Sequence, residues 1–285
     1  MDFRDYENAP QHVKDFYLKH HREQTYEKVE ELEKRYLKLE GGEMTIWEMF
    51  EVAQSIVDES DPDTEENQML HAIQTAERVR RLYPEEKWLH LAALIHDLGK
   101  ILAAVPAAVP AAENCNPLLA QHFVVGDINP VGCPYSDKIV FHSYFAENPD
   151  SSRLEYQTES DKRFGVYQKN CGFMNVKFTF GHDEYLYNIL LCHNLRNLPH
   201  NQIDGRILYV VRHHSFYAWH RDGAYTELAS EHDWKMLPWL QAHSNCDLYS
   251  KKDDDVCPGS DGKDSVRYYK DLVETAFGKD TKLKI

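Results

Sequence analysis

The sequence lacks any long uninterrupted apolar run. Its most apolar stretch, residues 89–112, is broken by His96, Asp97, Lys100 and two prolines, whereas a membrane-spanning helix needs about 20 consecutive apolar residues. The first ten residues, MDFRDYENAP, are acidic and contain none of the apolar core of a secretory signal. We therefore expect a cytoplasmic protein that makes no use of a membrane.

Positive charge is also scarce. The chain of 285 residues has 32 Lys and Arg against 47 Asp and Glu, a formal net charge of −15. Such an acidic surface repels nucleic acid and anionic membranes. We expect no nucleic-acid partner, and a neutral ligand or a cation suits this chain better than a polyanion does.

Cysteines in close pairs are absent as well. The six cysteines include no pair at CxxC spacing, which argues against a zinc ribbon and against a thioredoxin-type redox motif. We expect free thiols in a reducing compartment.

What the chain does contain is helical pattern. The segment TIWE at 45–48 predicts a capping box, in which Thr45 and Glu48 each bond the other's backbone. No long alternating pattern of a strand occurs, so the fold class is mainly α. We predict helices at 11–40, from 45 to 57, from 63 or 64 to 83, from 85 to 102, and within 176–195, 204–220 and 235–249.

The composition is consistent with one domain that has three parts. We expect an N-terminal helix and arm at 1–44, a core at 45–251 and a polar C-terminal tail at 252–285. The proline-containing repeat AAVPAAVPAA predicts a flexible insertion near 103–116, because proline interrupts a helix. Residues 113–165 are rich in turn formers and predict loops.

The segment LIHDLGK at 94–100 places ionisable groups in a helix that otherwise reads as buried. Burying a polar group without a partner costs about 2–7 kcal/mol, so His96 and Asp97 need compensation. A bound cation would compensate Asp97 and use neutral His96 as a donor, and Gly99 allows close approach of a ligand or a backbone. A plain hydrogen-bonded His–Asp pair is the alternative.

Other segments offer further candidates for the same centre. Each also has an ordinary structural reading, as a surface histidine or a solvated acidic face. His213 and His214 differ by about 100° around a helix, and spacing does not decide between them. The candidates are His71, His182, Asp183, Glu184, His213, His214, His220 and Asp247.

A first histidine, a His–Asp pair and a distal Asp together resemble the HD-domain superfamily. A longer ordered series of motifs is similar to the myo-inositol oxygenase family, from FRDY at 3–6 to about residue 251. The series comprises VDESDPD, HAIQTAE, LIHDLGK, VVGD followed by PVGC, GHDEYLY, RHHSFYAWH, MLPWL and DLYSK.

The resemblance implies an all-α, HD-domain-type helical bundle with loop-rich insertions. It implies an oxygenase that cleaves the ring of myo-inositol with O₂ to give D-glucuronate and water. Its cofactor would be two iron ions, mixed-valent Fe(II)/Fe(III) in the active state, in a monomer whose partners are myo-inositol and O₂. The implied ligands are His71, His96 and Asp247 for one iron, Asp97 as a bridge, and His182 and His214 for the second iron.

The resemblance also assigns residues to the substrate. Asp97 and Lys100 would be catalytic, with Lys100 bonding the substrate oxygen at the metal. The family usually has a shorter connection where this chain has the insertion at 103–116. Added loop length costs only roughly 0.6 kcal/mol per doubling, so we expect closure over the substrate to suffer before stability does. The implied polyol pocket contains Arg4, Asp58, Glu59, Ser60, Asp61, Lys100, Gly126, Asp127, His214 and Ser215.

Two rival functions use the same motifs. An HD-domain phosphohydrolase would also hold metal with His and Asp, but the net charge of −15 and the lack of a basic cluster near the motif argue against it. A non-catalytic metal-binding scaffold would bind metal without turnover. Oxygen consumption that depends on inositol distinguishes the oxygenase from both.

Overall fold

The structure is a computed structural model. It describes residues 6–61, 68–104, 118–156, 164–197, 202–250 and 263–285. The predicted start of a helix at 63 or 64, Arg4 and nearly all of the insertion at 103–116 lie outside these residues.

The described residues form an all-helical fold, as the sequence predicts. One two-stranded antiparallel sheet joins β1, Glu43–Met44, to β2, Leu283–Lys284. Short 3-10 helices occur at Leu98–Ala103, Gln121–Phe123, His142–Glu147, Pro149–Ser152, Leu154–Tyr156 and Phe173–Asn175. The α-helices are α1 Gln11–Glu23, α2 Tyr26–Tyr36, α3 Ile46–Ala53, α4 Gln68–Leu82, α5 Lys87–Ile95, α6 His182–Arg196, α7 Gly205–His213, α8 Tyr217–His220, α9 Glu231–Ser250 and α10 Lys263–Phe277.

The N-terminal region is two helices, so the prediction of one helix at 11–40 is wrong. The chain breaks at Gln24 and Thr25, where Thr25 caps α2 by accepting a hydrogen bond from the backbone of Lys28 at 3.1 Å. The side chain of Gln24 is drawn inward, bonding both the backbone N–H and the carbonyl of Phe180. These bonds join residues far apart in sequence, and they outweigh the local preference for a continuous helix.

The capping box at the start of α3 is present as predicted, with Thr45 and Glu48 bonding each other's backbone. The helix predicted at 85–102 is shorter than expected. It ends at Ile95, and the chain then tightens into the 3-10 helix Leu98–Ala103. His96 and Asp97 therefore lie at a change of helical geometry.

Helix α5 lies at the centre of the fold and positions the site. Its residues from Trp88 onward are buried, as expected for a helix that is apolar nearly all round. Helices α4, α7 and α9 pack against it, and α6 packs against the following 3-10 helix. Gly99 permits that last contact, because a Cβ there would lie 2.0 Å from the carbonyl oxygen of His182.

The C-terminal region is more ordered than the expected polar tail. Helix α10 packs against α5, and β2 pairs with β1 so that Glu43 lies opposite Lys284. Tyr269 and Phe277 are buried in the main core. The apolar positions of α10 were the signal for this helix, and the polar run before it obscured them.

Cys133, Cys171, Cys192 and Cys246 are free thiols, which confirms the prediction for the described cysteines. Within the described ranges, no helix is both long and apolar enough to cross a membrane.

Candidate metal centre

Residues from five separate helical segments converge on one buried point beside α5. His71 comes from the first turn of α4, His96 and Asp97 follow α5, and Asp247 lies near the end of α9. His182 begins α6, and His214 follows α7. We call His71, His96, Asp97, His182, His214 and Asp247 the metal centre; all six are less than 9% exposed.

One group of these side chains surrounds Asp247. Its Oδ1 lies 2.8 Å from Nε2 of His71 and 3.4 Å from Nε2 of His96. These three side chains present ligand atoms close enough to hold one metal ion. We call them the first set.

A second group lies on the other side of Asp97. Nε2 of His182 is 3.2 Å from Nε2 of His214. Two ligands bonded to one ion at about 2.1 Å lie roughly 3.0–3.4 Å apart, so this spacing suits a shared ion. We call these two histidines the second set.

The carboxylate of Asp97 is divided between the two sets. Its Oδ1 lies 3.3 Å from Nε2 of His182 and 3.5 Å from Nε2 of His214. Its Oδ2 lies 3.4 Å from Nε2 of His96 and 3.9 Å from Nε2 of His71. One carboxylate therefore faces both groups of imidazoles with different oxygen atoms.

The backbone fixes which ring nitrogen faces the centre. Nδ1 of His96 is 2.8 Å from the carbonyl of Ala93, and Nδ1 of His182 is 2.9 Å from the carbonyl of Val124. A carbonyl only accepts, so each Nδ1 carries the proton and each Nε2 is left as a donor atom. Such anchoring of the second ring nitrogen is usual for metal-binding histidines.

The donor set fits a transition metal, because four imidazoles with carboxylates are typical ligands of non-haem iron and its neighbours. Electrostatics point the same way. Burial would lower the pKa of His96, yet Asp97 and Asp247 raise it to about 9. Burial would raise the pKa of Asp97, yet Lys100 and the histidines hold it well below its usual value. Without a cation, protons balance these carboxylates; a metal would replace them.

Lys100 lies at the edge of the metal centre. Its Nζ is 2.8 Å from Asp97 Oδ2 and 2.8 Å from Asp58 Oδ2, and it donates to Gln68 at 3.3 Å. Burial alone would lower the pKa of Lys100, but Asp58 and Asp97 raise it above its usual value. The ammonium is therefore a permanently charged donor.

Among the residues expected in the polyol pocket, Asp58 pairs with Lys100, and Ser60 and Gly126 are linked to Asp58 in turn. Ser60 is bonded to Asp58 through both its backbone N–H, at 2.9 Å, and its hydroxyl, at 2.5 Å. Gly126, with φ +97°, faces Ser60: a Cβ at Gly126 would lie 3.6 Å from that of Ser60. Asp127 is buried and accepts from the hydroxyl of Tyr17 at 3.3 Å.

The other expected pocket residues differ in placement. The backbone of Ser215 accepts a hydrogen bond from Ile128 at 3.1 Å, which ties it to the segment that carries Asp127. Glu59 is exposed, and its backbone bonds Gln121 rather than the centre. Asp61 is half-buried, and its backbone N–H donates to the carbonyl of Asp58 at 3.4 Å.

The structure distinguishes His213, the last residue of α7, from the two histidines that follow the helix. His214 faces the centre, whereas His213 points away, with Nδ1 2.9 Å from the carbonyl of Tyr209 and its ring 4.4 Å from the Tyr209 ring. His220 supports the backbone, with Nε2 2.9 Å from the carbonyl of His214. Spacing alone could not separate these roles. It gives the angle between two neighbouring side chains, but not which of them faces the metal centre.

Asp183 is a sequence candidate that lies beside the metal centre, within ligand distance of His182 and His214. It is 1% exposed, so it is not part of a solvated face. Glu184, the next residue, instead pairs with Arg212 at 2.6 Å. The signal for Asp183 was its position directly after His182, which repeats the His96–Asp97 pair.

Comparison with known proteins gives one consistent family. The family model described as myo-inositol oxygenase matches residues 10–284. Inositol oxygenase 2 of Arabidopsis thaliana is 44% identical over 253 residues, covering 87% of this chain and 74% of that protein. The inositol oxygenases of Dictyostelium discoideum and Mus musculus are each 38% identical, covering 97% and 95% of this chain and 88% and 87% of those proteins.

Proposed function

This chain belongs to the myo-inositol oxygenase family, and we propose that it cleaves the ring of myo-inositol with O₂ to give D-glucuronate and water. Atoms balance without a further reductant: one oxygen atom enters the product and the other leaves as water. The observation that carries the proposal is Asp97, whose two oxygens face two separate groups of imidazoles beside the Lys100 ammonium.

We infer two iron ions as the cofactor. His71, His96 and Asp247 would hold one, His182 and His214 the other, and Asp97 would bridge them. Iron in the mixed-valent Fe(II)/Fe(III) state would supply Lewis acidity toward a substrate hydroxyl and the redox chemistry of O₂. Burial of all six side chains supports this assignment, because carboxylates in the interior need compensating charge.

Lys100 would bind and stabilise the substrate oxygen that loses its proton. Its Nζ already lies within 2.8 Å of two carboxylates, so it stays protonated and its charge is fixed in place. A preorganised cation is most effective in a site from which water is excluded. Asp58 would hold Lys100 together with Asp97, which keeps the ammonium in place for the reacting oxygen.

A neutral polyol requires many short polar groups rather than one charge. Ser60, Asp127 and Ser215 are each 6% exposed; Ser60 is bonded to Asp58, the partner of Lys100, and Ser215 directly follows His214. Gly126 brings a backbone close to Ser60 where a side chain would collide with Phe16. Together with Asp58 and His214 these groups would bind the ring hydroxyls, and Arg4, Glu59 and Asp61 would complete the pocket.

The wider setting follows from the same proposal. We expect one catalytic domain over residues 1–285, monomeric and cytoplasmic, that acts on a free small molecule. We expect no nucleic-acid or membrane partner. The acidic net charge of −15 supports the last of these expectations, because it repels nucleic acid and anionic membranes.

The test is oxygen consumption by the purified chain after anaerobic loading with equal amounts of Fe(II) and Fe(III). We expect uptake of O₂ only when myo-inositol is present, with one glucuronate formed for each O₂ consumed. The control variant is Glu184→Gln, which alters a buried ion pair outside the metal centre. Release of phosphate from a phosphate ester without O₂, or bound iron without any turnover of inositol, would contradict the proposal.

A further inference from the structure

A buried carboxylate beside the second set has no part in the mechanism above. Asp183 occupies the first turn of α6, directly after His182, and is 1% exposed. An ionised group at such a depth needs strong partners, because its desolvation costs several kcal/mol. Those partners are residues of the proposed metal site.

The two oxygens of Asp183 contact different groups. Oδ1 lies 3.0 Å from Nδ1 of His214 and accepts from the backbone N–H of Ser215 at 3.3 Å. Oδ2 lies 3.4 Å from Nε2 of His182 and has no hydrogen-bond partner among the described residues. The carboxylate therefore reaches both histidines of the second set.

The Nδ1 atom of His214 has different hydrogen-bond partners from those of His96 and His182. Nδ1 of His96 and Nδ1 of His182 each face a backbone carbonyl. Nδ1 of His214 faces the carbonyl of Val211 at 2.9 Å and, in addition, the carboxylate of Asp183. A charged acceptor forms a stronger hydrogen bond than a carbonyl, and it makes the opposite ring nitrogen a better metal donor.

The two sets also differ in charge. The first set includes Asp247, whereas the second set is two imidazoles beside the shared Asp97, and the further carboxylate within ligand distance of both rings is that of Asp183. Asp183 adds a negative charge on the side that otherwise has none of its own. Its bond to Ser215 continues through the Ser215 carbonyl to Ile128, next to Asp127. The same carboxylate thus contacts a proposed metal ligand and the backbone of the proposed polyol pocket.

We propose that Asp183 is a positioning residue of the second metal position: together with the Val211 carbonyl it holds His214 with the proton on Nδ1 and Nε2 directed at the metal, and it supplies the negative charge that this position lacks. The inference rests on the proposed function only in taking the second set as a metal site. Asp183 is not itself a ligand in this account.

Metal binding by the full chain tests this without any turnover. The variants are Asp183→Asn, which keeps the size and one acceptor oxygen, and Asp183→Ala, which keeps neither. We expect two equivalents of Co(II) for the wild type and for the control Glu184→Gln. In Asp183→Asn we expect one equivalent at unchanged affinity and one weakened about 10–100-fold, the usual effect of losing an outer partner, with a larger loss in Asp183→Ala.

A double-mutant cycle separates positioning from general support of the fold. If Asp183 positions His214, adding Asp183→Asn to His214→Gln should weaken Co(II) binding clearly less than Asp183→Asn weakens it in the wild type, the remainder being the effect of the lost charge. Fully additive losses, or two equivalents bound by Asp183→Asn at wild-type affinity, would overturn the proposal. Inositol-dependent O₂ uptake is measured separately: its absence with the expected Co(II) pattern would defeat only the proposed function.

A measurement on the wild type covers the case in which the variants do not fold. In the zinc-loaded chain with ¹⁵N-labelled histidine, NMR should show His214 protonated at Nδ1 and metal-bound at Nε2. Protonation at Nε2, or a directly coordinated Asp183 carboxylate in a zinc-loaded crystal, would contradict the positioning role.

Discussion

Two groups of buried histidines in this molecule differ in the groups that face them. His20 and His21, the α1 histidine pair, lie with their Nδ1 atoms 3.1 Å apart, and His21 contacts the carbonyl of Val140 at 2.7 Å. Burial lowers the pKa of His21 to about 4 and that of His20 well below its usual value. At the metal centre the effect of burial is reversed by carboxylates, so that the pKa of His96 rises to about 9.

The comparison shows that burial of histidine does not identify a metal site; carboxylates facing the imidazoles do. The α1 histidine pair serves packing, with the ring of His21 stacked 4.1 Å from that of Phe145. At the metal centre, Asp97 and Asp247 lie within 3.5 Å of Nε2 atoms whose opposite ring nitrogens are already anchored. Such a cluster favours a bound cation, whereas the histidines of the α1 pair stay neutral because burial lowers their pKa.

Removing the shared carboxylate should have the largest effect. We expect Asp97→Asn to lose iron from both positions and turnover to fall by about 1000-fold or more, since a metal contributes several kcal/mol to the transition state. Iron per chain and O₂ uptake measure this. Asp204→Asn, at an exposed ion pair with Arg206, is the control. Two tightly bound irons in Asp97→Asn would show that Asp97 is not the bridge.

Removing the ammonium should separate metal binding from chemistry. We expect Lys100→Met to keep its iron and to lose turnover by about 100–1000-fold, the typical effect of deleting one preorganised donor. Lys177→Met, at an ion pair with Glu33 away from the centre, is the matched control. Iron content, kcat and the free energy of unfolding should be measured together, because Asp58 loses its partner. Turnover above a tenth of the wild type would contradict the role of Lys100.

Acid should affect the α1 histidine pair through protonation. The folded pKa of His21 is about 4, against 6.5 in the unfolded chain, so at this residue the unfolded state binds more protons between these values. The free energy of unfolding should therefore fall by about 3 kcal/mol as the pH drops from 6.5 to 4. Urea titrations measure it, and the slope should be shallower in His21→Phe than in the control His232→Gln. Equal slopes in both variants would show that His21 is not the group responsible.

His243 is a buried histidine outside both groups, and its replacement should have the smallest effect of these variants. The ring of His243 lies 4.9 Å from that of His96, yet neither of its nitrogens has a hydrogen-bond partner among the described residues. We expect His243→Leu to keep two irons and to change the free energy of unfolding by less than about 1.5 kcal/mol, because an apolar side chain of similar volume loses no bond there. Loss of one iron would place His243 in the metal centre.

Sequence patterns predicted much of this fold because the helices are amphipathic and punctuated by local signals. The capping box of Thr45 and the burial of α5 follow from neighbouring residues alone. The break at Gln24 does not, because it depends on bonds to Phe180, which is distant in sequence. Helix α10 was missed for a different reason: the polar run before it drew attention away from its own apolar positions.

The candidate site shows the same division. Motifs brought forward His71, His96, Asp97 and Asp247, but spacing could not say that Asp97 faces two sets with separate oxygens. Nor could it assign Asp183, because the direction of a side chain at the start of α6 depends on the packing of His214 against it. Contacts between separate helices, rather than local pattern, determine these roles.

Anomalous X-ray diffraction at the iron absorption edge, on crystals of the iron-loaded chain, tests the central claim most directly. The account predicts two peaks, one among His71, His96 and Asp247 and one between His182 and His214, with Asp97 between them. A single peak, no peak at these side chains, or iron bound at the α1 histidine pair would contradict it.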